Sequence, residues 1–349
     1  MAAVQASRRI AAQGHLIAMG YPAARPRRLR RTAPLRRLVA QTRLAPADLI
    51  LPMFVREDLP EPRPITSMPG VVQHSRESLV AAARDAVQLG VGGLMLFAVP
   101  AHRDESGSGA IDPDGPLNSA VREVVAEVGS DIVVMADLCL DEFTSHGHCG
   151  LVDEHGHVNN DATLKQYQLM GVELAKAGVH VVATSGMMDG QVGAVRAALD
   201  DAGFAESTAI MAYSAKYASA VYGPFRDAVE STLAGDRNGY QQDPANRVEA
   251  TREVELDLAE GADMVMVKPG LPYLDVLADI AARSDVPVAA YQVSGEYSMI
   301  EAAAANGWID RDRAVMESLI SLRRAGATMV LSYYAAEVAG WLRDRSRSM

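Results

Sequence analysis

Eight short apolar segments recur along the chain, and their pattern predicts β-strands. Each is rich in Val, Ile, Leu, Met and Ala, and the hydrophobic residues run continuously instead of alternating with polar ones. Continuous hydrophobicity over the length of a strand predicts burial on both faces, as in a parallel sheet covered by helices. The predicted strands comprise residues 48–55, 91–99, 131–138, 179–185, 207–214, 261–268, 286–293 and 327–334.

Alanine-rich amphipathic segments lie between these strands and predict helices. Examples are residues 75–90, 118–129, 161–178 and 253–261, which all end in glycine, a residue typical of helix C-termini. Eight alternating strand–helix units predict a (β/α)₈ TIM barrel. A doubly wound open sheet is the alternative, but no G-x-G-x-x-G turn follows the first predicted strand.

The barrel prediction can be compared with the residues at the strand ends, because catalytic groups in such barrels project from the C-terminal ends of the strands. From the third strand onward, each predicted strand ends in or is followed by residues that can take part in chemistry. In chain order these are Asp137, Cys139 and Asp141, then Ser185 and Asp189, then Lys216, Lys268, Ser294 and Tyr333.

Two of these residues are lysines in a chain that has only four lysines against 29 arginines. Arginine stays protonated and cannot condense with a carbonyl, so a lysine retained at such a position indicates a need for a neutral amine. On adjacent parallel strands, Lys216 and Lys268 would lie about 4.8 Å apart. Burial and mutual repulsion would both lower a lysine pKa. The pair therefore predicts a carbonyl substrate and either two imines or one imine beside an activating cation.

Composition and charge narrow the function further. The chain is 49% hydrophobic and 22% charged, which is typical of a globular protein, and its net charge of −11 argues against nucleic-acid binding. Ten arginines nevertheless lie within the first 43 residues. A basic segment of this kind can bind nucleic acid, but an arm that docks on the acidic body of a neighbouring copy is the favoured interpretation.

The sequence also predicts a domain organisation and a compartment. No segment has the roughly 18 uninterrupted apolar residues of a membrane helix. We expect a disordered extension at residues 1–24, an N-terminal arm at 25–45 and the catalytic barrel at 46–349. The two cysteines, Cys139 and Cys149, lie beside Asp137, Asp141 and two histidines, which favours a thiolate metal site over a disulfide and indicates a reducing cytoplasm.

Seven long motifs give the chain a close resemblance to the porphobilinogen synthase family, also called δ-aminolevulinic acid dehydratase. They are DLCLDEFTSHGHCG (137–150), SGMMDG (185–190), YSAKYASAVYGPFRDA (213–228), GDRNGYQ (235–241), MVKPGLPYLD (266–275), YQVSGEYSM (291–299) and LSYYAAE (331–337). The resemblance implies condensation of two 5-aminolevulinate molecules to porphobilinogen with loss of two waters, in tetrapyrrole and haem biosynthesis. It also implies a homo-octamer in which each arm wraps around a neighbour. A class I aldolase and a catalytically silent scaffold remain the alternatives.

Residue roles follow from the resemblance by position. Lys268 matches the Schiff-base lysine for the first substrate, and Lys216 matches the second active-site lysine. Ser294 and Tyr333 match the groups that hold the first substrate's carboxylate. The second carboxylate would be held by Arg226, Arg237 and Gln241, which belong to a long segment, residues 217–243, that we interpret as a lid over the active site.

The metal residues are where the chain departs from the family's zinc pattern. Zinc-dependent members have three cysteines in this stretch, and here the middle position is Asp141, between Cys139 and Cys149. These three ligands would still suit catalytic zinc, with the two histidines shaping the loop. Glu253 matches a glutamate that binds an allosteric magnesium in many bacterial members. Gly186 is a further departure, because many members have aspartate at that position.

Overall fold

The structure is a computed structural model that describes residues 25–347. The chain divides into two compact units, with the boundary between Arg43 and Leu44. The disordered extension predicted for residues 1–24 lies outside the described residues.

The first unit contains two short helical segments. A 3₁₀ helix spans Pro26–Arg30, and helix α1 spans Ala33–Leu38. The Thr32 side chain begins α1 by accepting a hydrogen bond from the Leu35 backbone N–H at 3.3 Å, which satisfies a donor that the first helical turn leaves free.

The second unit is a closed barrel of eight parallel strands, which confirms the predicted fold. The strands pair in chain order, and the last pairs with the first to close the sheet, so that Leu49 lies opposite Val330. The barrel strands are β1 (Leu49–Arg56), β4 (Gly93–Val99), β5 (Val133–Leu138), β6 (Val181–Thr184), β7 (Ala209–Lys216), β8 (Met264–Lys268), β9 (Val288–Gln292) and β10 (Met329–Ser332).

Every barrel strand overlaps one of the eight predicted segments, because continuous hydrophobicity marks a strand that is covered on both sides. All residues of β4 and β9 are buried. Two strands were not predicted: β2 (Arg63–Pro64) and β3 (Val72–His74), which pair with each other in antiparallel orientation, while β3 also extends along β1. They are too short for a hydrophobic period to reveal them.

Helices surround the barrel and connect successive strands. Ser75 begins the first of them by accepting a hydrogen bond from the Ser78 N–H, and Gly90 ends it in a left-handed conformation with φ of 78°. These helices are α2 (Arg76–Leu89), α3 (Pro116–Val128), α4 (Asn160–Lys176), α5 (Gln191–Asp201), α6 (Gly223–Ala228), α7 (Val248–Ala259), α8 (Leu274–Ala281), α9 (Ser294–Ala305), α10 (Arg311–Ala325) and α11 (Ala335–Arg347). None of the helices within residues 25–347 is long and apolar enough to cross a bilayer.

Candidate active site

The C-terminal ends of β7 and β8 bring the two predicted lysines together. Lys216 and Lys268 are direct register partners, following a bulge in β7 between Ala212 and Ala215. Both side chains are almost completely buried, at 4% and 6% exposure. Two amines are thus enclosed side by side at the strand ends where catalytic groups of such barrels lie.

Lys268 lies in a buried pocket lined by aromatic rings. Burial, followed by the nearby Lys216 ammonium, lowers the pKa of Lys268 to about 7. A large share of this amine is therefore neutral near physiological pH, as imine formation requires. The surrounding rings are those of Tyr291, Tyr213, Tyr222 and Phe225, with centroids 4.7, 5.0, 5.4 and 5.4 Å from Nζ.

Asp137 and Ser185 complete the immediate surroundings of the lysines. The Lys216 ammonium donates a hydrogen bond to the Ser185 carbonyl, and the Ser185 hydroxyl donates to Asp137 Oδ2 at 3.0 Å. Burial raises the pKa of Asp137 to about 6, although both lysines act in the opposite direction. A carboxyl group with this pKa can both accept and release a proton near neutral pH.

Glu142 is a buried acid that the sequence reasoning missed. Neither of its carboxylate oxygens has a hydrogen-bond partner among the described residues. Burial, and then the negative charges of Asp141 and Asp137, raise its pKa well above the usual range, which favours the protonated form. An acidic residue directly after DLCLD gives no sequence signal of this burial, since the neighbours that cause it come from the folded barrel.

The predicted metal ligands meet in one cluster. One ligand atom from each of Cys139, Asp141 and Cys149 lies within 4.8 Å of the others, and all three side chains are buried. Both cysteines are free thiols. Burial opposes ionisation of Cys149, but the hydrogen bond from Cys139 and the charge of Arg237 outweigh it and lower the pKa of Cys149 to about 7. Two sulfur donors and one carboxylate fit a zinc ion that keeps one position open.

The neighbouring histidines lie outside this cluster. His146 Nε2 lies 3.3 Å from the Glu105 carbonyl oxygen, and His148 Nδ1 lies 3.2 Å from the Tyr240 hydroxyl. The backbone N–H of His148 also donates a hydrogen bond to His146 Nδ1 at 3.1 Å. These contacts agree with the prediction that the histidines shape the loop.

Arg237 of the lid segment (residues 217–243) contacts the metal cluster directly. Its guanidinium donates to Asp141 Oδ2 at 2.7 Å and to the Gly147 carbonyl at 2.9 Å. Burial would raise the pKa of Asp141, but Arg237 and Lys216 outweigh it and lower that pKa to about 2. The lid and the metal loop (residues 139–149) are therefore joined by a buried ion pair, an arrangement the sequence did not predict.

The lid segment is partly helical and closes over the lysines. It contains a 3₁₀ turn at Ala220–Tyr222 and helix α6, in place of the single long loop expected. The remaining cavity at the lysines is about 20 Å³ in volume. Arg226, Arg237 and Gln241 all line this cavity, and the Gln241 amide nitrogen has no partner among the described residues.

Ser294 and Tyr333 each contact a residue whose ring lies beside Lys268, namely Phe225 and Tyr291. Ser294 Oγ accepts a hydrogen bond from the Phe225 N–H of the lid at 2.9 Å, and the Tyr333 hydroxyl lies 3.0 Å from that of Tyr291. The assignment of both residues to a substrate carboxylate stays a prediction.

Comparisons with known proteins agree with this geometry. The sequence model of the delta-aminolevulinic acid dehydratase family matches residues 23–341. The chain belongs to this family. It is 63% identical to the delta-aminolevulinic acid dehydratase of Streptomyces coelicolor over 325 residues, covering 93% of this chain and 98% of the relative. The Mycobacterium tuberculosis protein is 62% identical over 324 residues, with coverage of 92% and 98%.

A solved structure supports both the family and the fold. A crystal structure of the Toxoplasma gondii delta-aminolevulinic acid dehydratase, in complex with the reaction product porphobilinogen, superposes with a TM-score of 0.89. The two sequences are 46% identical, and the alignment covers 92% of each chain. The resemblance stated from the motifs is thereby confirmed.

Glu253, matched above to the family's magnesium-binding glutamate, lies away from the lysines. It is half-buried on α7 and lines a cavity of about 620 Å³. Burial, followed by the charges of Asp189 and Glu249, raises its pKa. Within residues 25–347 no group of three ligand atoms forms around Glu253, so water would supply most ligands of a magnesium ion there. Four further carboxylates line the cavity: Asp189, Asp236, Asp243 and Glu249.

Proposed function

We propose that this chain condenses two molecules of 5-aminolevulinate to porphobilinogen with loss of two waters, a step of tetrapyrrole biosynthesis. The main support is the in-register pair of buried lysines, one of which has a pKa lowered to about 7. The family assignment and the relative that binds porphobilinogen supply the substrate class. A class I aldolase would need only one lysine and no thiolate cluster. A catalytically silent scaffold would need neither of the two lysines.

Lys268 is proposed to form the imine with the first substrate. Its neutral amine adds to the keto carbon, the carbonyl oxygen takes up protons and leaves as water, and a carbon–nitrogen double bond remains. Asp137 lines the same cavity and has a pKa of about 6, so it can hold and release one of these protons. The aromatic rings around Lys268 exclude water, which would otherwise hydrolyse the imine.

The lid residues are proposed to bind the second substrate's carboxylate. Arg226 and Arg237 line the lysine cavity and can each form paired hydrogen bonds to a carboxylate. Arg237 is held by Asp141 in the closed lid, so an incoming carboxylate would compete with Asp141 for the guanidinium. Substrate binding would then release Asp141 toward the metal cluster.

Zinc is the metal that the Cys139, Asp141 and Cys149 donors suit best. When bound it would supply Lewis-acid polarisation of a substrate oxygen or nitrogen. Replacing one soft thiolate with a hard carboxylate should weaken zinc binding relative to a three-cysteine site and widen tolerance for other divalent ions.

A homo-octamer in the cytoplasm is proposed from the family resemblance. The opposite charges of the arginine-rich arm and of the acidic cavity that contains Glu253 support docking of the arm on a neighbouring copy. Two buried free thiols fit a reducing compartment.

Light scattering of the chain with and without residues 25–45 tests the assembly. The shortened chain should form assemblies with fewer subunits than the full chain, and an unchanged number of subunits would contradict the proposal.

Lys268→Arg tests the imine assignment. The guanidinium keeps the charge but cannot form an imine, so pyrrole formation should fall by about 1000-fold or more. Borohydride reduction in the presence of 5-aminolevulinate should leave an adduct on Lys268 of the parent and none in the variant. Lys176→Arg, at an exposed lysine paired with Glu173, is the matched control and should retain both signals. An adduct that persists in Lys268→Arg at any residue other than Lys216 would contradict the assignment.

Changes at the cluster test the zinc site. Cys149→Ala should lose most bound zinc and most activity, whereas His146→Asn, outside the cluster, should retain both. Asp141→Cys should hold zinc more tightly against a weak chelator because it restores an all-sulfur set. It should also lower the KM for substrate, since the substrate carboxylate no longer competes with Asp141 for Arg237. Elemental analysis and pyrrole formation across a chelator titration measure these effects. Full activity of both the parent and Cys149→Ala after exhaustive zinc removal would rule out catalytic zinc.

Glu253→Ala tests the allosteric magnesium. The variant should lose stimulation of pyrrole formation by magnesium while basal turnover is retained, because Glu253 lies outside the lysine cavity. Glu255→Ala is the control, an exposed glutamate on the same helix that does not line the cavity of Glu253. Stimulation of Glu253→Ala equal to that of the parent would show that Glu253 does not bind the ion.

A further inference from the structure

Tyr167 of helix α4 packs against the metal cluster from behind. Its side chain is completely buried, and its hydroxyl donates a hydrogen bond to the backbone carbonyl of Cys149. The same hydroxyl lies 3.8 Å from Cys139 Sγ, within hydrogen-bonding range for sulfur. One phenol from outside the metal loop therefore contacts both cysteines of the cluster.

Gly186 makes the space that the phenol occupies. A Cβ atom at Gly186 would lie 2.1 Å from the Tyr167 hydroxyl oxygen, 2.5 Å from its Cζ atom and 2.8 Å from Gln191 Oε1. Real Cβ atoms do not approach other atoms this closely, so any side chain at position 186 would displace the ring. The glycine at position 186, noted above as a departure from the family, is thus what leaves room for the Tyr167 ring.

The negative charge of the cluster and the groups that contact it indicate a role for the phenol. A loaded cluster holds up to three negative groups in a buried site, and Arg237 offsets the charge on the Asp141 side. The Tyr167 hydroxyl donates its proton to the Cys149 carbonyl, and its oxygen lies beside Cys139 Sγ. Hydrogen bonds to ligand atoms and to the backbone that carries them fix ligand orientation and tune metal affinity.

We propose that Tyr167 is a positioning residue for the metal site, accommodated only because residue 186 is glycine. It holds the Cys149 backbone in place through its hydrogen bond to the Cys149 carbonyl, and its hydroxyl oxygen packs against Cys139 Sγ. This inference rests on the proposed metal site, and it adds that Tyr167 and Gly186 together position the ligands of that site.

The test measures metal binding directly, with zinc and with cobalt as a spectroscopic probe. Tyr167→Phe removes only the hydroxyl and should weaken zinc in a competition with a chromophoric chelator by about 10- to 100-fold, the usual effect of such outer partners. The thiolate-to-cobalt charge-transfer absorption should shift because the Cys149 backbone, and with it the Cys149 sulfur, is no longer held in place. Tyr297→Phe is the matched control: it loses a buried tyrosine hydrogen bond to the Pro69 carbonyl and should leave zinc affinity and the cobalt spectrum unchanged.

A double-mutant cycle tests the steric half of the proposal. Gly186→Ala should weaken zinc in the parent, because the new methyl group displaces the phenol. The same substitution should have little further effect in a Tyr167→Leu background, where there is no phenol to displace. Additive effects of the two changes would overturn the pairing. Equal zinc affinity and equal cobalt spectra for the parent and Tyr167→Phe would overturn the positioning role alone, whereas a parent that binds neither metal would overturn the metal site together with this inference.

Discussion

The burial of two lysines side by side is the constraint on which the rest of the active site depends. The register of β7 and β8 places Lys216 opposite Lys268, and removing two ammonium groups from water costs free energy unless nearby groups compensate. The site compensates in two ways. Burial and the neighbouring Lys216 favour the neutral form of Lys268, while Asp137 supplies negative charge beside both lysines. The lowered pKa of Lys268 and the raised pKa of Asp137 therefore share burial as their main cause.

The metal loop and the lid extend the same arrangement. Asp141 belongs to the metal cluster and is also the partner of Arg237, so a single carboxylate links metal binding, lid closure and charge balance. A buried ion pair of this kind is costly to break on one side only. In the proposed role of Arg237, a substrate carboxylate would offer the guanidinium a new partner as Asp141 is released.

The sequence predicted those features that depend on local pattern or on motif. The eight barrel strands were found because each is apolar throughout, and the lysines were found because lysine is rare in this chain. Features that arise from contacts between distant segments were not predicted. Glu142 is buried by the folded barrel, and Tyr167 looks like an ordinary core residue of an amphipathic helix. Residues 217–243 were interpreted only as a long lid segment, but proline is well tolerated in the first turn of a helix, and α6 begins at Gly223 and Pro224.

The central claim is that Lys216 and burial together lower the pKa of Lys268, and lysine NMR tests it most directly. Because the chain has only four lysines, labelling with ¹³Cε-lysine gives four resonances, and the one that disappears in Lys268→Arg belongs to Lys268. In the parent this resonance should titrate near pH 7, with the ammonium present below that pH and the neutral amine above it. In Lys216→Met the transition should move to higher pH, because the repelling charge is gone. A Lys268 resonance that titrates near the ordinary lysine value of about 10.4, or that does not move in Lys216→Met, would contradict the account.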